Sequence, residues 1–408
     1  MKSNYKKLGQ FIQQVSIKNS DLRVDNLLGV SITKEFIKSI ANTIGTDMTT
    51  YKIVKKNQFT YGSITSRNGD KISIALLQED EAIVSTSYTV FEVIDINELL
   101  PEYLMMWFRR PEFDRYARYM SHGSTREAFG WEEMCDVELP VPTLEKQKKI
   151  IKEYHTIIDR IKLNEQLNQK LEDTAQSIYK EWFVNFEFPD ENGKLYKSNG
   201  GEMVYCDELD MEIPKGWSID SLENYVNCNS STFSKKDKFE KIKYLDTSSI
   251  TNNKIDNIQI LDVDKDVIPS RAKRKVKHNS ILYSTVRPNL CHFGLIKKPP
   301  KNLIVSTGFV VIDTTDKLLA EYIFLFLTSN KLIQYFQSKA EMSVSTYPSI
   351  KPEDIQESKI LIPEDRVLNN LKQVLEPLYI LQLNKNNESK NLLLLKETLL
   401  SKMATIEG

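Results

Sequence analysis

The chain has 408 residues and a mass of 47.3 kDa, enough for two to four domains that each bury a core. Charged residues make up 27% and hydrophobic residues 40%, which excludes a wholly disordered chain, and the net charge of −1 argues against a generic nucleic-acid binder. No apolar stretch approaches the roughly 18 residues of a membrane span, and no secretory signal opens the chain, so we expect a cytoplasmic protein.

Residues 1–143 are predicted to form a first lobe of mixed α and β structure. A run of β-branched and aromatic residues, Phe59–Ile64, predicts a strand, and the turn residues Ser66–Asp70 follow it. Pro101 begins an amphipathic helical stretch that continues to Phe108.

Residues 144–184 are predicted to form one long packed helix. The segment contains no Gly or Pro, and its apolar residues recur in steps of four and three, at Ile150, Tyr154, Ile157 and Ile161, then at Leu171, Ala175, Ile178 and Trp182. Asn164 and Asn168 occupy the middle of this pattern. They either lie buried and fix the register of the helix or lie at a bend or in solvent, and the sequence leaves both interpretations open.

An acidic segment then separates two parts of the chain. Residues 185–214 carry eight acidic and two basic side chains and are predicted to be a linker. Residues 215–363, the predicted second lobe, carry 22 basic and 16 acidic side chains, so the near-zero net charge hides a basic second lobe. Its run Arg271–His278 suits a phosphate backbone, because counterion release favours such binding. A solvated face or the guard of an edge strand is the alternative.

Residues 364–408 are predicted to form a second long helix. Its apolar positions are Leu371, Val374, Leu378 and Leu381, then Leu392, Leu395 and Leu399. Pro377 lies inside this pattern and is expected to kink the helix or to split off its first turns.

The chain also repeats itself. Ile83–Thr86 recurs as Ile304–Thr307, 221 positions later, and Leu163-Asn164 recurs as Leu383-Asn384, 220 positions later. A period this long indicates a duplicated lobe followed by a duplicated helix, not a solenoid.

No catalytic motif is recognisable. The cofactor loop and the Asn/Asp-Pro-Pro-aromatic motif of a base methyltransferase, a Walker loop and nuclease carboxylates are all missing, and the four cysteines and four histidines are scattered. We expect a non-enzymatic chain with two recognition lobes and with no cofactor or metal of its own.

Three segments carry a family resemblance. Ser177–Pro189 contains the run Tyr179-Lys180-Glu181-Trp182-Phe183, and after the acidic stretch comes Ile213-Pro214-Lys215-Gly216-Trp217; Leu395–Met403 ends the second helix. With these motifs, the chain resembles the specificity subunits of type I restriction-modification systems over essentially its whole length.

The resemblance implies an α+β fold in which two similar target recognition domains are separated by two long, conserved, antiparallel helices. Each recognition domain would read one half of an asymmetric bipartite sequence in double-stranded DNA, and the helices would set the spacing and dock two modification subunits. The modification subunits would bind S-adenosylmethionine, and two restriction subunits, if present, would use ATP and Mg²⁺. The alternative is a scaffold or decoy that binds modification subunits but no DNA.

The candidate DNA contacts come from matching turns and loops in the two lobes and, for Lys273, Arg274 and Lys275, from the basic run. Base edges are read by polar and basic side chains on loops or strands that enter a groove. The candidates of the first lobe are Arg67, Asn68, Ser124, Thr125 and Arg126. Those of the second lobe are Lys273, Arg274, Lys275, Arg287, Asn289, Ser345, Thr346 and Tyr347. For the turn residues, the alternative is that each satisfies its own backbone.

Overall fold

The computed structural model has an α+β fold and describes residues 5–39, 45–66, 68–69, 71–123, 127–234, 236–342 and 348–405. The chain divides into two compact units. Unit 1 comprises Met1–Asn164 with Glu388–Gly408, and unit 2 comprises Glu165–Asn387. The boundary predicted at residue 143 lies inside unit 1, because each unit contains a lobe together with part of both long helices. No helix among the described residues is long and apolar enough to cross a membrane.

Unit 1 is built from short antiparallel sheets and small helices. The paired strands are β1–β11, then β2-β10-β7-β8, then β3-β6-β9, then β4–β5. Their bounds are β1 Tyr5–Lys7, β2 Ile12–Val15, β3 Ile17–Lys18, β4 Leu28–Val30, β5 Phe36–Lys38, β6 Lys52–Lys55, β7 Phe59–Gly62, β8 Ile74–Leu76, β9 Glu81–Val84, β10 Tyr88–Val93 and β11 Glu138–Pro140. The helices are α1 Pro101–Phe108, α2 Pro111–Tyr119, α3 Trp131–Cys135 and α4 Leu144–Phe183, which continues into unit 2.

The core of unit 1 is aromatic. Phe59 of β7 stacks on Phe91 of β10 at 4.8 Å between ring centroids, and Phe108 of α1 meets both rings edge-on. α1 was expected to be amphipathic, and that expectation is wrong: of its eight residues, only Glu102 is not buried. A helix that is apolar on all sides is typical of a position in the centre of a core, and α1 has this position in unit 1.

Unit 2 has the same kind of architecture. Its sheets are β12–β13, β14–β25, β15-β24-β21-β22, β19-β16-β23-β20 and β17–β18, and the pair β16–β23 is parallel. The strands are β12 Met203–Cys206, β13 Met211–Pro214, β14 Ser218–Ser221, β15 Val226–Cys228, β16 Lys241–Leu245, β17 Ile250–Thr251, β18 Lys254–Ile255, β19 Gln259–Asp262, β20 Ala272–Lys275, β21 Ser280–Ser284, β22 Phe293–Ile296, β23 Leu303–Ser306, β24 Phe309–Thr314 and β25 Lys359–Ile362. The helices are α5 Ala320–Leu327, α6 Asn330–Glu341, α7 Pro352–Gln356 and α8 Asp365–Lys402, whose end belongs to unit 1.

The strand order shows the duplication of the lobes. The sheet β2-β10-β7-β8 of unit 1 has its counterpart in β15-β24-β21-β22 of unit 2, with equivalent strands in equivalent places. The terminal pairs β1–β11 and β14–β25 also correspond, and three short helices follow the same strands in both units. The internal repeat predicted from the sequence is therefore confirmed as a repeated fold.

The predicted linker folds as part of unit 2. Phe186, Phe188 and Ile213 are buried, and Phe188 stacks on Trp217 at 5.0 Å between centroids. Residues 203–214 form the β12–β13 hairpin. The linker prediction relied on the acidic composition of this segment and overlooked its few apolar residues, which pack into the core of unit 2.

Within each unit the two long helices run antiparallel. In unit 1, Asn164 contacts Ser389, and Ile150, earlier on α4, shares a core with Leu400, later on α8. In unit 2, Asn168 contacts Asn386, and Glu172, one turn later on α4, contacts Gln382, one turn earlier on α8. The predicted long helix over residues 144–184 is confirmed as α4, and Ile150, Tyr154 and Ala175 are buried as the seven-residue pattern predicts.

The second long helix departs from prediction in two respects. α8 runs through Pro377 without a break, so the first turns are not split off. The buried residues around this site, Leu375 and Tyr379, pack into the core of unit 2 and compensate for the backbone hydrogen bond that proline removes. Leu371 is buried as predicted, but three other residues expected in the core are exposed: Val374, Leu381 and Leu395. The neighbouring positions Leu375 and Gln382 are buried in place of the first two.

Candidate nucleic-acid interface

The basic run of the second lobe lies on an edge strand. β20 is the last strand of the sheet β19-β16-β23-β20. Residues 231–233 cover part of its open edge: Phe233 donates its amide to the Lys273 carbonyl at 2.7 Å, and Lys275 donates its amide to the Ser231 carbonyl at 3.1 Å. The backbone of this edge is thus largely occupied, and its side chains are the groups available for a partner.

Acidic neighbours neutralise part of the run. Lys275 Nζ lies 2.5 Å from Asp237 Oδ1, and this hydrogen bond lowers the pKa of Asp237. Lys277 Nζ lies 3.4 Å from Asp313 Oδ2. The Lys273 side chain is exposed, whereas Arg274 Nε is buried and has no hydrogen-bond partner within the described part of the chain. The three predicted cations therefore differ, and Lys273 presents its charge to solvent.

The predicted turn of the second lobe has an unusual backbone. It follows β21, and a single 3₁₀ turn, Pro288–Leu290, lies between Arg287 and Cys291. Both flanking residues have a left-handed backbone conformation, with φ of 49° for Arg287 and 55° for Cys291. The side chains of Arg287 and Asn289 are exposed, while Pro288 is buried beneath them. The fold thus presents two predicted base-reading side chains from one tight turn.

This turn is hydrogen-bonded to residues 348–350, which follow the second candidate loop in the chain. Ile350 donates its amide to the Thr285 carbonyl at 2.9 Å, and Arg287 donates its amide to the Pro348 carbonyl at 3.1 Å. This pairing, which brings residues 348–350 against the turn, was not predictable from local sequence patterns.

The first lobe repeats the arrangement. Phe129 donates its amide to the Ser63 carbonyl at 2.8 Å, and Thr65 donates its amide to the Glu127 carbonyl at 3.0 Å. Phe129 precedes Ile350 by 221 positions, and both side chains are buried. The repeat offset could have identified these two buried residues as equivalent anchors, although not their hydrogen-bond partners.

Several predicted contacts lie outside the described residues. They are Arg67, Ser124, Thr125, Arg126, Ser345, Thr346 and Tyr347. Of the first-lobe candidates, Asn68 is described: its Nδ2 donates to the Ile64 carbonyl at 3.3 Å, so one side of its amide closes its own turn. In the second lobe, the backbone amide of Asn289 donates to Gln337 Oε1 of α6, a side chain that sequence reasoning missed.

No candidate metal site is visible in the part of the chain that the structure describes. No three His, Cys, Asp or Glu side chains lie close enough there to hold an ion.

Comparisons with known proteins agree on one family. The family model described as the type I restriction modification DNA specificity domain matches residues 11–173. The chain is 26% identical over 327 residues to the type I restriction enzyme MjaIX specificity subunit of Methanocaldococcus jannaschii, covering 78% of this chain and 72% of that subunit. It is 30% identical over 141 residues to the HindI specificity subunit of Haemophilus influenzae, covering 34% of this chain and 30% of that subunit.

A solved structure supports the fold. The crystal structure of the type I restriction-modification S subunit from M. genitalium superposes with a TM-score of 0.56 at 13% identity, covering 99% of this chain and 96% of that chain. At this level of identity the likeness concerns the fold alone.

Proposed function

We propose, from the premise that this chain belongs to the type I restriction-modification specificity-subunit family, that its two lobes each read one half of an asymmetric bipartite DNA site. One observation carries the proposal: in both lobes the same backbone pairing holds a turn against the segment that follows the second candidate loop, residues 127–129 or 348–350, while the side chains on the two turns differ. Asn68 and Gly69 belong to the first turn, and Arg287, Pro288 and Asn289 to the second. A shared frame with different side chains is suited to reading two different sequences.

The basic strand adds an electrostatic contribution. Lys273 stands on an edge strand of a lobe with an excess of positive charge, and lysines on such a surface favour phosphate binding through counterion release. Phosphate contacts fix orientation, whereas the turns supply discrimination between bases. Reading the two halves would therefore need both kinds of contact in each lobe.

The long helices would dock two modification subunits. In unit 1, α8 exposes Leu393, Leu394 and Leu395, of which Leu394 is 65% exposed. In unit 2, α4 borders a groove of about 730 Å³ whose apolar lining is Ile178, Trp182 and Leu195. Exposed apolar surface on a helix is typical of a protein interface, and one such patch in each unit suits two copies of one partner.

The chemistry would belong to the partners. The modification subunits would hold S-adenosylmethionine and methylate DNA, and restriction subunits, where present, would use ATP and Mg²⁺. This chain would contribute recognition and assembly and no catalytic group.

Methylome sequencing tests the recognition proposal. Cells that express the chain with its modification subunit should methylate one asymmetric bipartite motif. Replacing residues 1–143 with the first lobe of another family member should change one half of the motif and preserve the other. A change in both halves would contradict separate reading. A chain that assembles with modification subunits yet directs no sequence-specific methylation would be a scaffold or decoy instead.

A point variant tests the docking proposal. Leu394→Glu places a charge on the exposed helix face and should weaken co-purification of the modification subunit. Val267→Glu is the matched control, because Val267 is 93% exposed and belongs to the connection between β19 and β20 of the second lobe, not to a helix. Equal binding by both variants would exclude this face of α8 from the interface.

A further inference from the structure

The turn of the second lobe adopts a conformation that its own residues disfavour. Arg287 has φ 49° and ψ 71°, and Cys291 has φ 55° and ψ 34°. The left-handed region crowds any residue that carries a Cβ atom. Pro288 adds a second conflict, since proline favours an extended conformation in the residue before it. Strained backbone of this kind persists only where its surroundings hold it.

Backbone hydrogen bonds hold the two ends of the turn. At the entrance, Arg287 donates its amide to the Pro348 carbonyl at 3.1 Å. At the exit, the Cys291 carbonyl accepts from the amide of Asn252 at 2.9 Å. Both partners lie far away in sequence, so the ends are fixed by the fold of the lobe.

The middle of the turn is held by a side chain. The backbone amide of Asn289 donates to Gln337 Oε1 at 3.2 Å. Gln337 is half-buried on α6, and its Nε2 donates to Glu341 Oε1 at 2.7 Å, one helical turn further on. This second bond orients the amide so that its oxygen faces Asn289.

The helix that carries Gln337 is itself anchored under the turn. Phe336 and Ala340 of α6 are fully buried. The Phe336 ring meets Tyr283 of β21 edge-on at 5.7 Å between centroids, and β21 leads directly into the turn. The position of Gln337 relative to the turn is therefore set by core packing.

We propose that Gln337 is a positioning residue for DNA reading by the second lobe. It fixes the Asn289 backbone, and through it the directions in which Arg287 and Asn289 point. This inference rests on the proposed function, in which this turn reads base edges. Arginine and asparagine recognise bases through paired hydrogen bonds whose geometry tolerates little displacement. Loosening the turn should therefore reduce discrimination between sequences more than it reduces binding, because phosphate contacts elsewhere supply most of the affinity.

Three variants distinguish the loss of the Gln337 acceptor from a change in side-chain size or an unrelated change on α6. Gln337→Met keeps the size of the side chain and removes the acceptor. Gln337→Glu combined with Glu341→Gln keeps an acceptor for Asn289 and restores the contact between the two side chains with donor and acceptor reversed. Gln334→Met changes an exposed glutamine one turn earlier on α6 and is the matched control.

The readout is methylation by the complex with modification subunits. The substrates are duplexes with the consensus site and with every single mismatch in either half-site. We expect Gln337→Met to reduce discrimination in the second half-site by about tenfold, the scale of one lost base contact, and to leave the first half-site unchanged. The exchanged pair and Gln334→Met should discriminate as the parent does. Gln337→Ala is a second test of the missing acceptor should Met not be accommodated.

The outcomes distinguish the inference from its premise. Unchanged discrimination in Gln337→Met and Gln337→Ala would overturn the positioning role while leaving DNA reading intact. Equal losses in both half-sites, or no rescue by the exchanged pair, would also overturn it. A parent complex without any sequence preference would instead overturn the proposed function, and this inference with it.

Discussion

Asn168 donates a hydrogen bond from its side-chain amide to Asn386 Oδ1, 2.7 Å away, across the two long helices of unit 2. In unit 1, Asn164 is 1% exposed and its Nδ2 lies 3.3 Å from Ser389 Oγ. The sequence left open whether these asparagines were buried or at a bend. The structure buries Asn164 and half-buries Asn168, each with a polar partner on the other helix, an arrangement that can fix helix register at some cost in stability.

Removing one asparagine of the pair should destabilise unit 2. Asn386→Leu leaves the half-buried Asn168 Nδ2 without its acceptor, and the loss should stay below the roughly 1–3 kcal/mol of a fully buried unsatisfied donor. Asn168→Leu combined with Asn386→Leu should cost less than the sum of the two single changes, because no polar group is then left behind. Denaturant unfolding of the four proteins measures the coupling. Strictly additive losses would show that the contact is not energetically coupled.

The pair Lys297–Glu321 should behave as a buried ion pair. Nζ and Oε1 lie 2.5 Å apart, and the two side chains are only 10% and 8% exposed. Lys297→Met leaves a buried, unpaired carboxylate and should cost about 3–5 kcal/mol, whereas Lys297→Met with Glu321→Leu should recover much of that loss.

Lys215 provides the matched control for this experiment. It pairs with Glu202 at 2.9 Å, but the side chains are 61% and 66% exposed. Lys215→Met should therefore lower the melting temperature far less than Lys297→Met does, because solvent screens an exposed pair. Similar losses in melting temperature for Lys297→Met and Lys215→Met would contradict the special role of burial.

The sequence predicted those features that follow from periodicity and repetition. The span of α4 was predictable because a seven-residue apolar pattern without Gly or Pro specifies a helix on its own. The duplicated lobes were predictable because Ile83–Thr86 recurs as Ile304–Thr307, and the structure places these segments at the ends of the equivalent strands β9 and β23. The packed face of α8 was not, because leucine occurs on several sides of that helix. Leu371 and Leu375 face the core while Leu395 is exposed, and composition alone cannot rank them.

The candidate site was predictable only in part. Arg287 and Asn289 could be named as candidates because turn residues stand out locally, and their contact with DNA stays a prediction. Gln337 could not be found, because its role depends on a contact 48 positions away in sequence and on a helix whose polar residues look like an ordinary solvated face. The neutralisation of Lys275 by Asp237 was hidden for the same reason, since charge counts do not reveal which cations are already paired.

Glu172 should make the stability of unit 2 depend on pH. Burial raises the pKa of this carboxyl, although Asn253 and Gln382 donate hydrogen bonds to it at 3.2 and 3.4 Å. Because the folded-state pKa lies above the unfolded one, the folded state holds the proton more tightly between the two values. Stability is then lost as pH rises from the unfolded pKa, about 4.3, through the folded pKa.

The variant Glu172→Gln removes this titration. The melting temperature of the parent should fall relative to that of the variant as pH increases from about 4.5 to 7. Differential scanning calorimetry at several pH values makes the comparison. A constant difference across the range would show that Glu172 is not the group responsible.

Lys273 and Lys275 should contribute unequally to DNA binding. The Lys273 side chain is exposed, whereas Lys275 is already paired with Asp237. A lysine that neutralises a phosphate releases about one counterion, so Lys273→Ala should reduce the slope of log affinity against log salt by about 1, with little change in sequence preference. Lys275→Ala should change the slope less, because the Asp237 carboxylate already balances that charge.

Asp237→Asn is the converse test: it frees Lys275 and should steepen the salt dependence. Binding of duplex DNA by the complex with modification subunits, measured over a series of salt concentrations, gives all four slopes. If Lys275→Ala lowers the slope as much as Lys273→Ala does, the ion pair opens on DNA, and if neither changes it, β20 does not face the phosphates.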